Sequence, residues 1–301
     1  QGIALGGAWD GLPSLLALNS PKGRRGWYAM VPQLGAPLGL ALASALFAYF
    51  LSLLSTEDFL QWGWRYPFFV VLAINTVALF ARLRLVATPE FQRAFETREL
   101  TPSPPFRTLR SEWRTIALGA FAPLASFALF HLVTVFPLSW VQLNDLDQPV
   151  RFLILEAGGA LICVGAIMAS GFLADRVGRR AVLGVSAALI GAYSGFAPQL
   201  LGAGQIGEAV YMLGGFVLLG LAFGQSSGVV NSKLPPVHRY TGAAIVGNSA
   251  WFIGAGFAPL VALFLASRFG LWSVGLYLLS GVLCTLAALA INREWAAREN
   301  A

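Results

Sequence analysis

The sequence predicts an all-α membrane protein with nine membrane helices, and three observations support this prediction. Of the 301 residues, 57% are hydrophobic and only 11% are charged, whereas a soluble domain carries about 25% charged residues. The apolar residues are gathered into nine runs, most of them about 20 residues long, which is the length that a helix needs to cross a bilayer. The loops between the runs alternate between basic and acidic, as in inner-membrane proteins.

The first three runs form one group. Residues 1–18 are apolar apart from Asp10 and end at Asn-Ser-Pro, so we interpret them as the end of a helix and expect the chain to be truncated at its N-terminus. The second run, residues 30–54, contains two prolines and a Gly-x-x-x-Gly spacing, features that membrane helices tolerate where their neighbours pack closely. The third run covers residues 64–85 and follows an aromatic pair typical of a membrane interface.

The remaining runs follow a polar linker. Residues 86–112 are rich in arginine and contain Thr-Pro-Ser-Pro-Pro, a composition typical of a linker. Six further runs follow, at residues 113–135, 152–170, 181–201, 210–230, 242–266 and 271–291. The sequence thus predicts the remainder of an N-terminal helix bundle at 1–85, a cytoplasmic linker at 86–112, a complete six-helix C-terminal bundle at 113–291 and a cytoplasmic tail at 292–301.

The distribution of charge predicts the orientation in the membrane. If the loops at 19–28, 82–114, 175–180 and 231–240 and the C-terminal tail face the cytoplasm, they collect 17 of the 20 Lys and Arg residues, as the positive-inside rule requires. We therefore expect a multi-pass protein of the bacterial inner membrane with a cytoplasmic C-terminus. Asp145 and Glu208 should then lie outside, and Arg107 inside.

The same composition argues against several other classes of protein. The net charge is +6, but the basic residues lie in short clusters between apolar runs, which argues against nucleic-acid binding. Cys163 and Cys284 lie inside apolar runs without metal-ligand spacing, so neither a disulfide nor a metal site is expected. Lys22 and Lys233 follow no phosphate-binding loop. We expect no enzymatic activity and no cofactor, and partners limited to the lipid bilayer, a small-molecule substrate and protons, with the protein a monomer.

One loop between two apolar runs is dense in glycine and charge. It reads Gly-Phe-Leu-Ala-Asp-Arg-Val-Gly-Arg-Arg, and the residues that set its spacing are Gly171, Asp175, Arg176, Gly178, Arg179 and Arg180. Glycines allow helix ends to approach closely, and the charged groups can hold one helix bundle against another. This spacing resembles the signature loop of the major facilitator superfamily, which are secondary transporters of twelve helices. The alternative is an ordinary cytoplasmic turn with positive-inside arginines.

The order of the runs agrees with that resemblance. Six runs after a basic linker, with the loop between the second and third of them, match the second copy of the signature loop in a major facilitator. The nine runs would then be helices four to twelve. The resemblance implies a major facilitator fold with a partial N-terminal bundle and a complete C-terminal bundle. It also implies that Gly171–Arg180 is a gating loop.

Three motifs resemble the metabolite:proton symporters of this superfamily, which carry dicarboxylates, shikimate, proline or betaine. They are Gln-Gly at 1–2 with Gly-Gly-Ala-Trp-Asp-Gly at 6–11, Trp-Gly-Trp-Arg-Tyr-Pro-Phe at 62–68, and Arg-Tyr-Thr-Gly-Ala at 239–243. The first motif departs from the family pattern, with Ala8 in place of glutamate and Asp10 in place of glycine. Because two residues on a helix are about 200° apart, Asp10 does not take over the position of that glutamate.

The resemblance implies a secondary active transporter. It would move a small polar metabolite, such as an organic acid, an amino acid or a betaine-like solute, by proton symport with alternating access. Two alternatives remain open: a uniporter, and a sensor or scaffold with the same fold that no longer transports. The presence of Ala8 where the family has glutamate favours the sensor or scaffold.

Few ionisable side chains lie inside the apolar runs. Placing an ionisable group in a membrane helix costs about 2.5–3.5 kcal/mol, so each such residue is a candidate for a function. Asp10 lies about 13 Å from the cytoplasmic end of its run, near the midplane, and is the leading proton-coupling candidate. Glu156 lies about a turn and a half inside the outer end and is either a proton or substrate group or a structural residue that snorkels outward. His131 is either a titrating group or a hydrogen-bonded packing residue.

Three uncharged polar residues are further substrate candidates. Gln33, Gln225 and Asn248 lie on the predicted fifth, tenth and eleventh helices, and each either orients a substrate or forms an interhelical hydrogen bond worth about 0.6 kcal/mol. For the gating loop, we expect the Asp175 carboxylate beside the start of the eleventh helix, at residues 240–242, where Arg239 and the helix N-terminus favour an anion.

Overall fold

Every described element of the protein is a helix. The computed structural model describes residues 20–21, 23–86, 89, 92, 96, 103–144, 149–226 and 234–291. In the N-terminal part, α1 (Arg25–Met30) continues through a 3-10 turn (Val31–Leu34) into α2 (Gly35–Leu53), and the short α3 (Thr56–Gln61) and a second 3-10 turn (Gly63–Arg65) lead into α4 (Tyr66–Val86).

The described residues of the C-terminal part form nine more helices. They are α5 (Pro105–Phe121), α6 (Leu124–Thr134), α7 (Phe136–Leu143), α8 (Pro149–Val177), α9 (Arg179–Leu200), α10 (Gly204–Phe223), α11 (Pro236–Gly254), α12 (Ala258–Phe269) and α13 (Trp272–Ile291).

Eight segments among the described residues are long and apolar enough to cross a membrane. They are Arg25–Leu53, Gly63–Ala81, Leu124–Leu143, Pro149–Val177, Arg179–Leu200, Gly204–Phe223, Val237–Phe269 and Trp272–Ile291. The predicted all-α membrane fold is confirmed by these segments, which correspond to the last eight of the nine predicted runs. The first predicted run, residues 1–18, lies outside the described residues.

The bounds of the run predicted at 113–135 were wrong. The apolar segment in this region is Leu124–Leu143, and it is preceded by α5, which begins inside the predicted linker. The backbone of α5 is non-helical at Glu112, where φ is −115° and ψ is 20°, so a kink lies at the predicted end of the linker. Pro123 separates α5 from α6 because proline donates no backbone hydrogen bond and ends a helix.

Large apolar side chains cover much of the surface of the spans. On α4, for example, Phe69, Leu72 and Val77 are 60–70% exposed. Such a surface would be unfavourable in water but suits hydrocarbon, where the backbone polar groups of a helix are already paired internally.

α8 packs along α1 and α2 and also along α10. Small residues allow these close contacts. A Cβ atom at Gly220 of α10 would lie 2.7 Å from the Cys163 carbonyl oxygen, and one at Gly159 would meet the ring of Phe216. As in other membrane proteins, glycine at position 220 brings two helix backbones into close contact, and Gly159 leaves room for an aromatic ring.

Two buried tyrosines connect the helices of the C-terminal part. The Tyr193 hydroxyl donates to the Tyr211 carbonyl oxygen at 2.6 Å, and the Tyr211 hydroxyl donates to the Leu132 carbonyl oxygen at 2.7 Å. These bonds join α9, α10 and α6 and satisfy phenol groups that would otherwise be costly to bury. The C-terminal helices are therefore linked by polar contacts as well as by packing.

An ion pair joins α8 and α10 near their first turns. Arg151 donates to Glu208 Oε2 at 2.6 Å, and Glu208 is only 1% exposed while Arg151 is 34% exposed. We expect Arg151→Ala to lower the free energy of unfolding by about 1–3 kcal/mol, because it removes a charged donor from a buried carboxylate. Thermal unfolding in detergent measures the change. Arg268→Ala, at an exposed arginine, is the control, and equal stability of the two variants would contradict the prediction.

Candidate functional site

The predicted signature loop is the end of α8, a one-residue turn and the start of α9. α8 ends at Val177 and α9 begins at Arg179, with Gly178 between them at a φ of +88°. L-residues with side chains rarely adopt a positive φ, so glycine is required at this turn. The turn places Asp175 on the last turn of α8, facing α1.

The Asp175 carboxylate binds the beginning of α1. Its Oδ1 accepts a hydrogen bond from the Gly26 N–H at 2.7 Å, and Oδ2 accepts one from the Trp27 N–H at 3.3 Å. The first N–H groups of a helix have no partner within the helix and carry the positive end of its dipole, so they attract a carboxylate. The prediction that Asp175 lies beside residues 240–242 was wrong, because the carboxylate caps the helix that α8 packs against.

The backbones of α1 and α8 meet at two glycines beside this cap. A Cβ atom at Gly26 would lie 2.6 Å from the Ala174 Cβ, and one at Gly171 would lie 2.7 Å from the Met30 Cγ. Neither position has room for a side chain without moving a helix. We call this contact, formed by Gly26, Trp27, Gly171, Asp175 and Gln225, the α1–α8 crossing.

Gln225 belongs to the same crossing. Its Nε2 lies 3.3 Å from both the Gly26 carbonyl oxygen and the Ser170 Oγ, and the residue is fully buried. Of the two sequence interpretations, the interhelical hydrogen bond is therefore the one that the contacts support. The side chain follows the end of α10 and joins α1, α8 and α10 at one point.

The described contacts of Arg176 and Arg180 are with α8 and α13. The Arg176 guanidinium lies 4.0 Å from the centre of the Phe172 ring, and Arg180 donates to the Leu289 carbonyl oxygen of α13 at 2.9 Å. Arg179 is buried at the start of α9. Asp175 links the loop to α1 by hydrogen bonds.

Glu156 lies between α2 and α8. Its side chain is 3% exposed, and its Oε2 accepts a hydrogen bond from the Ser44 Oγ at 2.9 Å. The interpretation that Glu156 snorkels outward was therefore wrong, because its neighbour on α2 covers it. Its Oε1 has no hydrogen-bond partner among the described residues. Ser44 was not predicted as a site residue, and a lone serine in an apolar run gives no signal by itself.

His131 lies among aromatic rings on α6 and α11. It is half-buried, its ring centre is 5.3 Å from that of Phe130 and 6.1 Å from that of Trp251, and its Nδ1 is 3.5 Å from the Thr134 hydroxyl. Phe130 and Trp251 are also partly exposed, with ring centres 5.0 Å apart. These three rings form a continuous aromatic surface.

The other sequence candidates are dispersed. Gln33 is buried in the 3-10 turn between α1 and α2, and its Oε1 has no partner among the described residues. Asn248 lies exposed on α11. Asp10 lies outside the described residues. The described candidates therefore do not converge on a single centre.

The third family-like motif contains a contact that the sequence did not predict. The Thr241 hydroxyl accepts a hydrogen bond from the Ser103 N–H at 2.9 Å and lies 3.0 Å from the Ser103 carbonyl oxygen. The Thr108 hydroxyl lies 3.0 Å from the His238 Nδ1. These contacts attach Ser103 and the first turn of α5 to the first turns of α11.

Comparison with known proteins gives a consistent result. Residues 1–247 match the family model described as Major Facilitator Superfamily. The chain is 34% identical over 300 residues to an inner membrane metabolite transport protein of Escherichia coli K12, covering 98% of this chain and 68% of that protein. It is 31% identical over 306 residues to the shikimate transporter of the same organism, covering 96% of this chain and 67% of that protein.

A more distant relative is the proline/betaine transporter of Salmonella typhimurium LT2. The identity is 27% over 281 residues, which cover 88% of this chain and 55% of that protein. No solved structure shows a significant match.

Proposed function

The chain belongs to the major facilitator superfamily, and from this premise we propose that it carries a small polar metabolite across the bacterial inner membrane by proton symport with alternating access. The observation that carries the proposal is the α1–α8 crossing. There the Asp175 carboxylate caps α1 by hydrogen bonds, and Gly26 and Gly171 allow α1 and α8 to pack closely. The crossing is suited to act as a gate at the predicted cytoplasmic side.

The strength of these contacts is appropriate for a gate. A hydrogen bond to a charged group contributes about 1.5–3 kcal/mol, and Asp175 accepts from two N–H groups. States of a carrier that interconvert differ by only a few kcal/mol. The hydrogen bonds to Asp175 can therefore break and re-form during a transport cycle. The hydrogen bonds of the buried tyrosines, by contrast, keep the C-terminal helices together as a unit.

The names of the relatives and the aromatic surface support a proposed substrate class. Relatives are named for shikimate and for proline and betaine, which are small polar solutes with a carboxylate. The partly exposed rings of Phe130, His131 and Trp251 offer faces for the apolar or cationic part of such a solute. We propose an organic acid, an amino acid or a betaine-like solute as the cargo.

Uptake by cells tests the proposal. Cells that express the full-length protein receive radiolabelled shikimate, proline or glycine betaine, with and without a protonophore. We expect protonophore-sensitive accumulation of at least one of them. Equilibration without accumulation would indicate a uniporter, and absence of uptake of all three by correctly inserted protein would favour a sensor or scaffold.

The proposed orientation predicts which cysteines an impermeant thiol reagent reaches. Glu208 is unsuitable because it is buried, but its neighbour Ile206 is 82% exposed. With Cys163 and Cys284 replaced, we expect Ile206→Cys to react in intact cells, and Arg107→Cys, at an exposed residue, to react only after the membrane is opened. The reverse labelling would contradict the orientation.

A further inference from the structure

α1, α2 and α8 form one long antiparallel contact. Gly26 faces Ala174 at one end, and Ser44 binds Glu156 farther along. The number of residues from Gly26 to Ser44 equals the number from Glu156 to Ala174. At the rise of an α-helix, each of these stretches is about 27 Å long, and the two run in opposite directions. We call the part formed by Ala41, Ser44, Ala48, Phe152 and Glu156 the α2–α8 seam. Asp175 and Glu156 therefore occupy opposite ends of a single interface.

The two carboxyl groups have different environments. Asp175 accepts two backbone hydrogen bonds at the positive end of a helix, which suits an ionised carboxylate. Glu156 accepts one hydrogen bond, from Ser44, while its other oxygen is buried without a partner among the described residues. Burying an ionised carboxylate without compensating partners costs far more than burying the neutral acid.

No cation is available to compensate Glu156 within the described elements that pack around it. α2 and α7 contain no Asp, Glu, Lys, Arg or His. On α8 and α10, the nearest charged groups are Arg151 and Glu208, which bind each other, and Tyr211 of α10 donates its hydroxyl to a carbonyl oxygen. The charged residues of α1 and α9 lie at the far end of the interface, near Asp175. The closed seam thus favours the protonated form of Glu156.

We propose that Glu156 is the proton-coupling group of the carrier and acts as a latch on the α2–α8 seam. With a proton bound, the seam closes around the neutral acid and the Ser44 contact. When the proton leaves, the ionised carboxylate separates α2 from α8 at this end and becomes hydrated. The proton comes from water on the outer side and forms an O–H bond with the carboxylate as the seam closes. It then leaves to water in the cavity that is open to the cytoplasm, after which the seam reopens, so no other reactant is consumed.

The latch rests on the proposed carrier function and makes it more specific. If the bundles rock about their interface, opening at the Glu156 end accompanies closing at the Asp175 end. The proton on Glu156 then decides which end is closed, without contacting the metabolite. This differs from the assignment of coupling to Asp10, whose replacement the test therefore includes.

Thiol labelling tests the latch without any substrate. Ala48 is 6% exposed in the seam, so Ala48→Cys reports seam opening in the full-length protein once Cys163 and Cys284 have been replaced. Labelling by an impermeant maleimide is measured at about pH 6 and about pH 8 and divided by that of the exposed Ile206→Cys. We expect this labelling ratio to be about fivefold higher or more at the higher pH, because the loss of the proton from Glu156 opens the seam.

The neutral variant and two others are the controls. In Glu156→Gln, which cannot ionise, we expect low labelling of Ala48→Cys at both pH values. Ser44→Ala keeps the carboxyl group and should keep the pH response, and so should Asp10→Asn. A response that is absent in the parent protein, or that is the same in Glu156→Gln, would overturn the latch.

Transport provides a second, independent readout. In vesicles with a pH gradient of about one unit, a one-proton symporter accumulates its solute about tenfold. With radiolabelled shikimate, proline and glycine betaine as probes, we expect Glu156→Gln neither to accumulate nor to exchange solute, because its seam stays closed. Accumulation that persists in Glu156→Gln and disappears in Asp10→Asn would overturn the latch. Failure of the parent protein to accumulate any probe would instead count against proton symport, while the labelling ratio would still test the seam.

Discussion

Replacing Asp175 with asparagine is expected to slow solute exchange by about tenfold or more, because an amide is a weaker acceptor than a carboxylate for the N–H groups of Gly26 and Trp27. Equilibrium binding of the same solute should change much less, since Asp175 lies at the α1–α8 crossing rather than among the aromatic rings. The measurements are the initial rate of exchange at saturating solute and the dissociation constant in detergent.

The control for this variant is an exposed carboxylate elsewhere. Glu57 lies in the first turn of α3 and is exposed, so Glu57→Gln removes the same charge without touching the crossing. We expect its exchange rate to equal that of the parent protein. An unchanged rate in Asp175→Asn would remove the gating role, and equal loss in both variants would indicate a general effect of charge.

Introducing a side chain at Gly171 is expected to have the largest effect of all. A Cβ atom there would lie 2.7 Å from the Met30 Cγ and 3.2 Å from the Trp27 Cα, so Gly171→Val prevents α1 from closing on α8. We expect transport to fall to background, and a cysteine at the fully buried Ser170 to become reactive from the predicted cytoplasmic side.

The same helix offers a matched control. Gly165 of α8 is exposed and has no heavy atom within 4 Å of a Cβ built on it, so Gly165→Val makes the same chemical change without the steric conflict. Transport near the parental rate is expected. If both variants lost transport equally, the loss would reflect the behaviour of valine in α8, and closure at the crossing would not be its cause.

The general fold was predictable because long apolar runs have few alternatives. Eight predicted runs correspond to described spans, and the fold class follows from their length and composition. The boundary between α5 and α6 was less predictable, because the polar first turns of α5 resemble a linker. The kink at Glu112 and the break at Pro123 divide this region more finely than its hydropathy indicates.

The contacts of the site required the three-dimensional structure. A carboxylate beside a helix start was a sound expectation for Asp175, but the sequence contains several helix starts and does not indicate which of them α8 meets. Similarly, Glu156 was recognisable as an acid inside a membrane run, whereas Ser44 was not recognisable as its partner because the two are far apart in the chain. The sequence left open whether Gln225 orients a substrate or forms an interhelical hydrogen bond, and its contact with Gly26 supports the second.

Proton entry coupled to solute tests proton symport most directly. The full-length protein is reconstituted into vesicles that contain a pH-sensitive dye, and shikimate, proline or glycine betaine is added outside without an imposed pH gradient. We expect at least one solute to acidify the interior, at a rate that rises with solute concentration and is abolished in Glu156→Gln. Entry of radiolabelled solute into the same vesicles without any acidification would contradict proton symport.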